Sequence, residues 1–443
     1  MPRQQTTASM THTHLIPRRK FLATSVAALG VAPMAWLRAQ SGSPNDEIHM
    51  AIIGCGVMGD GNMANFLNIQ GVRVIAVCDL DVNMANAAKA KVDATYKNSD
   101  CKIFSHHEDL LALPGLDAIC LATPDHWHAR IGIDAANAGM DIYGEKPFTW
   151  GLAEGRALVD ALTKNKRVWQ TGCWQRSKRE FRLFKALIEN NVLGKITRYE
   201  CGTPGGMAIK HHLQEDQWAA AIGKAPANLD WKRYTEPVGG YEYHPMIHPW
   251  NWRWLDAFGG GLLLDWVGHH VDIALWTLGL DGTGPIKVEG TGEKGNHKLF
   301  NTYVKYAYNG TFEDGRVIEV RSDFGGTKFT GENGWIHVDR ESIVASDKLD
   351  DPKGDPRHPL LTKLPESFSE KAPSHYQDFI DCVRSRKLTT APAEAAHRAA
   401  SFGQLAIVAL DTNQPVQWDP KAENVVGNTS QAAHPRLGSR LKS

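Results

Sequence analysis

The chain has 443 residues, and its 49 lysines and arginines balance 49 aspartates and glutamates, so its formal net charge is zero. This balance excludes the overall positive field that attracts nucleic acids and anionic membranes, and we expect no nucleic-acid partner. The seven cysteines are scattered without a Cys-x-x-Cys pair, so the sequence shows no disulfide framework, and the length leaves room for two domains.

The first motif is a basic and then apolar leader, "PRRKFLATSVAALG", at residues 17–30. Arg18 and Arg19 precede a short run of small apolar residues, a pattern that resembles a twin-arginine export signal. We predict this signal over residues 1–40 and a polar linker over residues 41–46. The protein is then expected to be exported in a folded state, by the twin-arginine machinery, to the periplasm or another extracytoplasmic space.

A membrane anchor is the alternative interpretation of this leader. The apolar stretch from Phe21 to Leu37 includes Gly30 and Pro33 and is weak for a span, which needs about 20 apolar residues. An uncleaved leader would still tether the protein to the membrane.

The first folded unit, predicted over residues 47–170, opens with a glycine-rich turn. Met50–Ile53 is apolar, as in a buried strand, and G-x-G-x-x-G follows it as Gly54, Gly56 and Gly59. These glycines permit a tight turn, close approach of a pyrophosphate, and close packing of the next helix on the strand. The pattern predicts a dinucleotide-binding site.

The carboxylate of Asp79 indicates which dinucleotide is bound. Asp79 ends the next strand-like run, "VRVIAVCD", and lies 20 residues beyond Gly59, where an acid accepts hydrogen bonds from the adenosine ribose. A carboxylate there repels the 2′-phosphate of NADP. NAD is therefore the expected cofactor and NADP is disfavoured.

Strand-like and helix-like segments continue to alternate through this unit. The alternation predicts an α/β fold with a doubly wound parallel sheet and ligands at the carboxyl ends of its strands. Thr123–His128 and Glu145–Pro147 follow two apolar strand-like runs. We therefore expect both segments to face the same crevice as the glycine-rich turn.

Residues 171–413 are predicted to form an α+β domain for substrate binding and oligomerisation, with a large and mostly antiparallel sheet. Alternating strand-like runs recur in this part of the chain. The dipeptide Asn309-Gly310 between two of them predicts a hairpin turn. Residues 414–443 are predicted to be a polar tail.

Two helices are predicted near the end of this domain. Ser374 and Gln377 have the spacing of a capping box at the start of the first helix. The second is the Ala-rich stretch from Pro392 to Leu410. Both are expected to pack the domains together rather than to carry chemistry.

The run "GGGLLLDWVGHHVDIALW", residues 259–276, carries candidate chemistry. A continuous helix would place Asp265, His269 and Asp272 on one face, where an acid–imidazole–acid line suits proton abstraction. One alternative is a metal site that also uses His270. The other is a pair of acids that only interact favourably with the positive end of the helix dipole. We expect no metal. The pairs at 106–107 and 211–212 are expected to be surface histidines.

Lys146 is a second candidate for proton transfer. It ends a predicted strand at the cofactor crevice, where a partly desolvated lysine can serve as a base. The alternative is an exposed lysine that pairs with Glu145.

Taken in order, the glycine-rich turn, Asp79, Glu-Lys-Pro and the histidine-containing run resemble the Gfo/Idh/MocA family of oxidoreductases over about residues 47–413. The exported branch, whose members carry "ATPDHWH" and a "DW..HH" segment, is the most similar. The resemblance implies a Rossmann domain followed by an α+β domain, a nicotinamide cofactor, sugar or polyol substrates, and a homo-oligomer.

The resemblance also implies roles for residues at matching positions. Cofactor binding is expected of Gly54, Gly56, Val57, Met58, Gly59, Asp79, Thr123, Pro124, Trp127, His128, Glu145 and Lys146. Catalysis is expected of Lys146, His269, Asp265 and Asp272. Which of Lys146, His269 and His270 moves the proton stays open.

A carbohydrate substrate also agrees with the aromatic composition. Indole rings, including those of Trp127, Trp174, Trp250, Trp252 and Trp254, offer flat apolar faces on which a pyranose can stack. The expected substrate-binding residues are Lys146, Arg176, Trp252, Arg253, His269 and His270.

Three functions remain open from the sequence. The first is an NAD-dependent oxidoreductase acting on a pyranose hydroxyl of a sugar or glycoside, with a tightly bound cofactor recycled in each turnover. The second is a redox-neutral, NAD-dependent glycoside hydrolase that works by oxidation, elimination and hydration. The third is a non-enzymatic sugar-binding protein. Export to a compartment without free NAD favours a cofactor that stays bound.

Overall fold

The structure is a computed structural model, and it describes residues 47–210, 213–346, 349, 359–365, 368–369, 371–372 and 374–441. The predicted export signal (1–40), the linker (41–46) and the histidines at 211–212 lie outside the described residues. Within the described ranges, no helix is both long and apolar enough to cross a membrane. All seven cysteines are buried and unpaired.

A parallel sheet of six strands forms the first part of the described chain, from Ile48 to Thr171. Its strands are β1 (Ile48–Ile53), β2 (Val72–Cys78), β3 (Lys102–Phe104), β4 (Ala118–Leu121), β5 (Asp141–Gly144) and β6 (Trp169–Thr171). The connecting helices are α1 (Val57–Phe66), α2 (Val82–Tyr96), α3 (His107–Leu111), α4 (Asp125–Asn137) and α5 (Leu152–Lys164). The order β3-β2-β1-β4-β5-β6, parallel throughout, confirms the predicted doubly wound sheet.

The order of the strands opens a crevice above β1 and β4. Every residue of β4 and β5 is buried, as expected for parallel strands covered by helices on both faces. Since β1 lies between β2 and β4, successive strands are added in opposite directions on its two sides, and ligands bind at such a switch point. The glycine-rich turn follows β1, and Thr123 follows β4.

A second sheet of nine strands forms the other domain. Its elements are α6 (Arg179–Glu189), β7 (Ile196–Gly202), α7 (Glu215–Ala219), α8 (Trp231–Tyr234), α9 (Gly261–Trp266), α10 (Asp272–Thr277), β8 (Lys287–Lys294), β9 (Tyr303–Thr311), β10 (Val317–Arg321), β11 (Gly326–Gly331), β12 (Gly334–Val338), β13 (Ile343–Ala345), α11 (His375–Ser385), α12 (Ala393–Thr412), β14 (Val416–Asp419), β15 (Asn424–Val425) and α13 (Thr429–Ala432). Its order is β13-β12-β11-β7-β10-β9-β8-β14-β15, with the β7–β10 pair parallel and the other pairs antiparallel. This confirms the predicted mostly antiparallel sheet.

The hairpin turn predicted at Asn309-Gly310 is wrong. Both residues lie inside β9, and the chain turns after it, at Gly315, whose φ is +83°. A Cβ on Gly310 would lie 2.3 Å from the ring of Phe402 in α12. The glycine is needed there because a helix packs closely on the strand, and the local sequence does not show this contact.

The segment predicted as a polar tail is partly built into the fold. β14 pairs with β8 along the edge of the sheet, and Trp418 is buried. Further on, the guanidinium of Arg436 is fully buried and donates to the carbonyl oxygens of Trp150 and Gly259. The segment is polar, yet it packs because backbone carbonyls and the carboxylate of Asp256 satisfy its buried charge.

Helix α12 joins the two domains, as predicted. Ala396 and Ala400 pack in the core of the parallel sheet, whereas Phe402 and Leu405 pack in the core of the antiparallel sheet. Small residues on one part of the helix and large ones on the other allow it to contribute to both cores.

The capping box predicted for α11 is only half formed. Ser374 Oγ accepts a hydrogen bond from the backbone N–H of Gln377 at 3.1 Å, but the Gln377 side chain donates to Asp381 instead of returning to Ser374.

We expect Ser374→Ala to lower the free energy of unfolding by about 1 kcal/mol, because one N–H of the first turn loses its acceptor. Urea denaturation measures this, with Ser374→Asp as the control that keeps an acceptor. Equal stability of Ser374→Ala and wild type would contradict it.

Candidate functional site

A cleft opens above the carboxyl ends of β1 and β4 and is lined by both domains. From the parallel sheet it takes ten residues for which binding or catalysis was predicted: Gly54, Gly56, Val57, Met58, Asp79, Thr123, Pro124, Trp127, Glu145 and Lys146. Of the site residues predicted in the second domain, Trp252 and Arg253 line the cleft. The predicted convergence of the two strand-end segments on the glycine-rich turn is therefore present.

The geometry of the glycine-rich turn fits a pyrophosphate. Gly54 has φ +87°, and a Cβ there would lie 2.6 Å from the Ala122 carbonyl oxygen. A Cβ on Gly59 would lie 1.8 Å from the carbonyl oxygen of Gly54, whereas one on Gly56 would meet no atom within 4 Å. Gly56 precedes α1 without a side-chain cap, so the first N–H groups of this helix are free to bind an anion.

Backbone donors fix the carboxylate of Asp79 at the edge of the cleft. Its carboxylate accepts hydrogen bonds from the backbone N–H groups of Cys55 (2.7 Å) and Asp81 (2.8 Å). Burial raises the pKa of Asp79 to about 6, and these two N–H donors oppose the rise. The carboxylate borders the cleft and is oriented by the same turn that offers the N–H groups.

Glu145 is buried at the end of β5 and is fixed by its neighbours. Asn62 donates to its carboxylate at 2.9 Å, and Tyr376 donates to Asn62 at 2.9 Å. A Cβ on Gly172 would lie 2.7 Å from Glu145 Oε1, so this glycine makes room for the carboxylate. Burial raises the pKa of Glu145. Glu145 is thus an oriented acceptor at the floor of the cleft.

Lys146 pairs across the domains with Asp265, not with Glu145. The distance from Lys146 Nζ to Asp265 Oδ1 is 2.8 Å, and Arg253 Nε lies 4.0 Å from the same oxygen. Burial acts to raise the pKa of Asp265, but Lys146 and Arg253 hold it below its usual range. An ammonium and a carboxylate therefore meet beside the predicted cofactor site.

Arg253 lies between two indole rings. Its guanidinium carbon is 4.2 Å from the ring centre of Trp250 and 4.3 Å from that of Trp252, and Lys210 also lies against Trp250. Cation–π contacts of this kind orient the guanidinium. The guanidinium consequently covers one face of each of these two indoles.

The predicted acid–imidazole–acid line does not form. The chain follows α9 with a π-helical turn, Val267–Val271, before α10 begins at Asp272. A π turn adds residues to one turn of helix, so side chains seven positions apart, as Asp265 and Asp272 are, no longer share a face. Asp265 bonds Lys146, Asp272 bonds Arg176, and His269 Nδ1 is buried without a partner among the described residues.

His269 is close to the cleft but does not line it. Its ring packs against the edges of Trp174 and Trp266. Burial, with Lys146 and Arg340 adding positive charge nearby, lowers its pKa well below the usual value. The imidazole is therefore neutral at physiological pH.

Arg176 and Asp272 lie in the interior and away from the cleft. Arg176 Nη2 and Nε contact the two oxygens of Asp272 at 2.7 Å, and the same guanidinium bonds Asp281. Arg176 is 1% exposed and Asp272 2%. With both edges of the guanidinium occupied, Arg176 does not reach the cleft, which corrects its predicted role in substrate binding.

His270 and His128 also lie behind the cleft. His270 is held between β7 and β11, where its Nδ1 lies 2.5 Å from the carbonyl oxygen of Gly202 and 3.0 Å from the backbone nitrogen of Gly326. It does not line the cleft, as a substrate-binding residue would. The two ring nitrogens of His128 lie 2.8 Å from the carbonyl oxygens of Thr123 and Pro147. His128 thereby joins the two strand-end segments and positions them instead of touching a ligand.

Sequence reasoning placed Asp125 in a segment that faces the crevice but gave it no role. It is the first residue of α4, it is 4% exposed, and it lines the cleft. Its place in the "TPDHWH" segment, at a strand end, was the available signal.

His107 was expected at the surface but is buried. Its Nε2 lies 2.9 Å from Asp134 Oδ2 and its Nδ1 3.1 Å from Glu108 Oε2. These three side chains could hold a metal ion together, but ion pairs with Arg130 and Arg233 already engage Glu108.

A further feature without a sequence signal is the bridging segment, residues 226–238, which covers one end of the cleft. The N–H of Val82 donates to the carbonyl oxygen of Asn228 at 2.8 Å, and the N–H of Asp230 donates to that of Leu80 at 3.0 Å. Arg233 and Tyr234 of the segment line the cleft. The segment thus fastens the second domain to the loop that follows Asp79.

The Arg176–Asp272 pair generates a stability prediction. We expect Arg176→Met to lower the free energy of unfolding by about 3–5 kcal/mol, because a buried carboxylate loses its partner. The matched control is Arg198→Met, which breaks an exposed pair with Glu319 and should cost about 1 kcal/mol or less. Urea denaturation measures both. Equal losses would contradict the structural role of Arg176.

Two family models match the chain. The model described as "Oxidoreductase family, NAD-binding Rossmann fold" matches residues 48–173, and its companion, described as "Oxidoreductase family, C-terminal alpha/beta domain", matches residues 178–436. Together they cover the parallel sheet and the antiparallel sheet.

Curated relatives align over part of their length. An uncharacterized oxidoreductase, YrbE, from Bacillus subtilis is 25% identical over 54% of this chain and 55% of its own. An inositol 2-dehydrogenase from Rhodococcus jostii is 26% identical over 36% and 42%. A glycosyl hydrolase family 109 protein from Shewanella amazonensis is 29% identical over 34% and 38%. The chain thus spans about half the length of these relatives or less.

Solved structures share the fold. The WlbA dehydrogenase from Chromobacterium violaceum, in complex with NADH and UDP-GlcNAcA, gives a TM-score of 0.62 at 16% identity over 85% of this chain and 97% of its own. A scyllo-inositol dehydrogenase from Lactobacillus casei, with NAD(H) and scyllo-inositol, gives 0.57 at 16% identity over 84% and 99%. Since both domains match their family models, the chain belongs to the Gfo/Idh/MocA family of NAD-binding oxidoreductases.

Proposed function

We propose that this protein is an NAD-dependent oxidoreductase that acts on a pyranose hydroxyl of a sugar or glycoside. The observation that carries the proposal is the ion pair between Lys146 and Asp265, which lies in the same cleft as the glycine-rich turn and Asp79. The free N–H groups after Gly56 and the oriented carboxylate of Asp79 fit a dinucleotide. When bound, NAD would supply the hydride acceptor.

Lys146 is the group to which we assign proton transfer. It lines the cleft, whereas His269 and His270 do not. In the proposed reaction the ammonium of Lys146 first releases a proton to solvent. The resulting amine then takes the proton of the substrate hydroxyl, while the hydride leaves the same carbon for the cofactor and the carbonyl forms. Asp265, 2.8 Å away, stabilises the ammonium that results. The carboxylate therefore acts on the lysine, not on an imidazole.

The opposite end of the cleft supports tight cofactor binding. The bridging segment is fastened to the loop after Asp79 by two backbone hydrogen bonds and by Asn228, which donates to Asp81 at 2.8 Å. A cofactor seated on Asp79 would lie beneath Arg233 and Tyr234 and could leave only after these contacts open. Such retention suits the folded export expected from the leader, because NAD would then travel with the protein.

The proton-transfer role predicts a large effect of Lys146→Ala. We expect NAD reduction with the best sugar of a substrate screen to fall about 10²- to 10⁴-fold, the usual range for loss of a general base. NAD affinity, measured by calorimetry, should change little. The control is Lys102→Ala, an exposed lysine on β3. Unchanged turnover in Lys146→Ala would refute the assignment.

Cofactor retention gives a second prediction. Purified wild-type protein should keep stoichiometric NAD through dilution and gel filtration, and Asn228→Ala should release it about 5-fold faster, because one hydrogen bond of the bridging segment is lost. Absorbance of the flow-through measures the release. Asn98→Ala removes an exposed hydrogen bond to Asp100 and is the control. Rapid loss of NAD from the wild type would count against retention.

A redox-neutral glycoside hydrolase is a second candidate. The observation in its favour is the 29% identical relative named as a glycosyl hydrolase family 109 protein. Such an enzyme would oxidise the sugar, eliminate the aglycone, add water and return the hydride. Release of nitrophenol from a nitrophenyl glycoside without net NADH, and with solvent deuterium at C2 of the sugar, would indicate this reaction. Net NADH formation would indicate the oxidoreductase.

A further inference from the structure

Asp125 is a buried acid at the reacting end of the cleft. It begins α4, directly after the Thr123-Pro124 turn that leaves β4. The residue is 4% exposed, yet it borders the cleft together with Lys146 and Trp252. Its position therefore brings a carboxyl group to the place where the proposed reaction occurs.

The carboxyl group of Asp125 lacks the partners that neighbouring acids have. Glu145 accepts from Asn62, and Asp265 accepts from Lys146. By contrast, no group in the described part of the chain donates a hydrogen bond to the Asp125 carboxylate. Its oxygens are not among the side-chain atoms that are sealed from solvent without a partner, so they open onto the cleft, where a donor on a ligand can reach them. A donor is therefore expected to arrive with a ligand.

The charges around Asp125 indicate what kind of donor this is. Burial first, and then the negative charge of Asp265, raise the pKa of Asp125 to about 7, while Arg253, Lys146 and Arg436 act to lower it. An acid that holds its proton part of the time near neutral pH can both accept and donate a hydrogen bond. A hydroxyl group has the same two capacities, whereas an anionic group would be repelled.

We propose that Asp125 binds a second hydroxyl group of the substrate, next to the one that Lys146 deprotonates, and so selects polyhydroxylated rings. The inference rests on the proposed function and deepens it. The other source of hydroxyls is the ribose of the cofactor. We favour the substrate over the cofactor ribose as the source of this hydroxyl group. The charges that act on Asp125 come from Lys146, Arg253 and Asp265, whereas Asp79, which is proposed to bind a ribose, lies at the other end of the cleft.

Calorimetry with sugars tests the inference on the NADH-loaded protein. The probes are D-glucose, D-galactose, N-acetylglucosamine, myo-inositol and the monodeoxy analogues of the best binder. We expect Asp125→Ala to weaken the best binder by about 10- to 100-fold, as for a hydrogen bond to a charged group. One deoxy analogue should bind wild type as weakly as the complete sugar binds Asp125→Ala. That analogue should lose no further affinity when Asp125 is replaced. Asp109→Ala, an exposed acid on α3, is the control.

The possible outcomes separate the two proposals. If no probe binds wild type, the proposed carbohydrate function fails and the inference fails with it. If a sugar binds wild type and Asp125→Ala equally well, the function stands and the inference is overturned. If Asp125→Ala weakens NADH and not the sugar, the acid belongs to the cofactor ribose and the inference is again overturned.

Thermal unfolding of the ligand-free protein gives an independent readout. Since the pKa of Asp125 is higher in the folded state than in the unfolded state, its contribution to stability falls as the pH rises from about 4 to above 7. Asp125→Asn removes this titration, so its Tm should exceed that of wild type by about 2 °C or more at pH 8 and should match it at pH 4. A Tm below that of wild type at both pH values would show a structural partner and overturn the inference.

Discussion

The ion pair between Lys146 and Asp265 is the contact on which the rest of the site depends. It joins the end of β5 in the parallel sheet to α9 of the other domain, with the two side chains 12% and 16% exposed. Gly268 makes the approach possible, because a Cβ there would lie 3.0 Å from Lys146 Cβ. The cleft, the position of Arg253 and the burial of Asp125 all presuppose that these two elements stay in contact.

The ion pair between Arg176 and Asp272 keeps the pair between Lys146 and Asp265 separate from other charges. Arg176 binds both Asp272 and Asp281 in the interior, so neither acid competes for the cations at the cleft. Asp265 is left to Lys146 and Arg253. The π-helical turn keeps Asp265 at the cleft and Asp272 in the interior, although both lie in one short helical segment. A regular helix would point the two side chains the same way.

Features that depend on neighbouring residues were predictable from the sequence. The glycine-rich turn, Asp79 and the strand ends each follow from the order of residues along one strand–turn–helix unit, and the structure contains all three. Features decided by distant packing were not. Gly310 resembles a turn until Phe402 is placed against it, and the pattern of the run from 259 to 276 does not reveal its π turn. The bridging segment shows no motif, because its backbone bonds and the ion pairs of Arg233 and Glu236 reach partners that are distant in the sequence.

The buried guanidinium of Arg436 has a consequence for how this protein can be divided. It bonds the carbonyl oxygen of Trp150, 286 positions earlier in the chain, and that tryptophan follows Lys146 by four residues. Contacts of such long sequence separation close late in folding, because the intervening chain must be ordered first. A fragment limited to the parallel sheet would therefore keep the glycine-rich turn but lack a fixed Lys146 loop. Nucleotide binding at the glycine-rich turn should thus be separable by fragment complementation from the fixed Lys146 loop and the retention by the bridging segment, both of which the second fragment would restore.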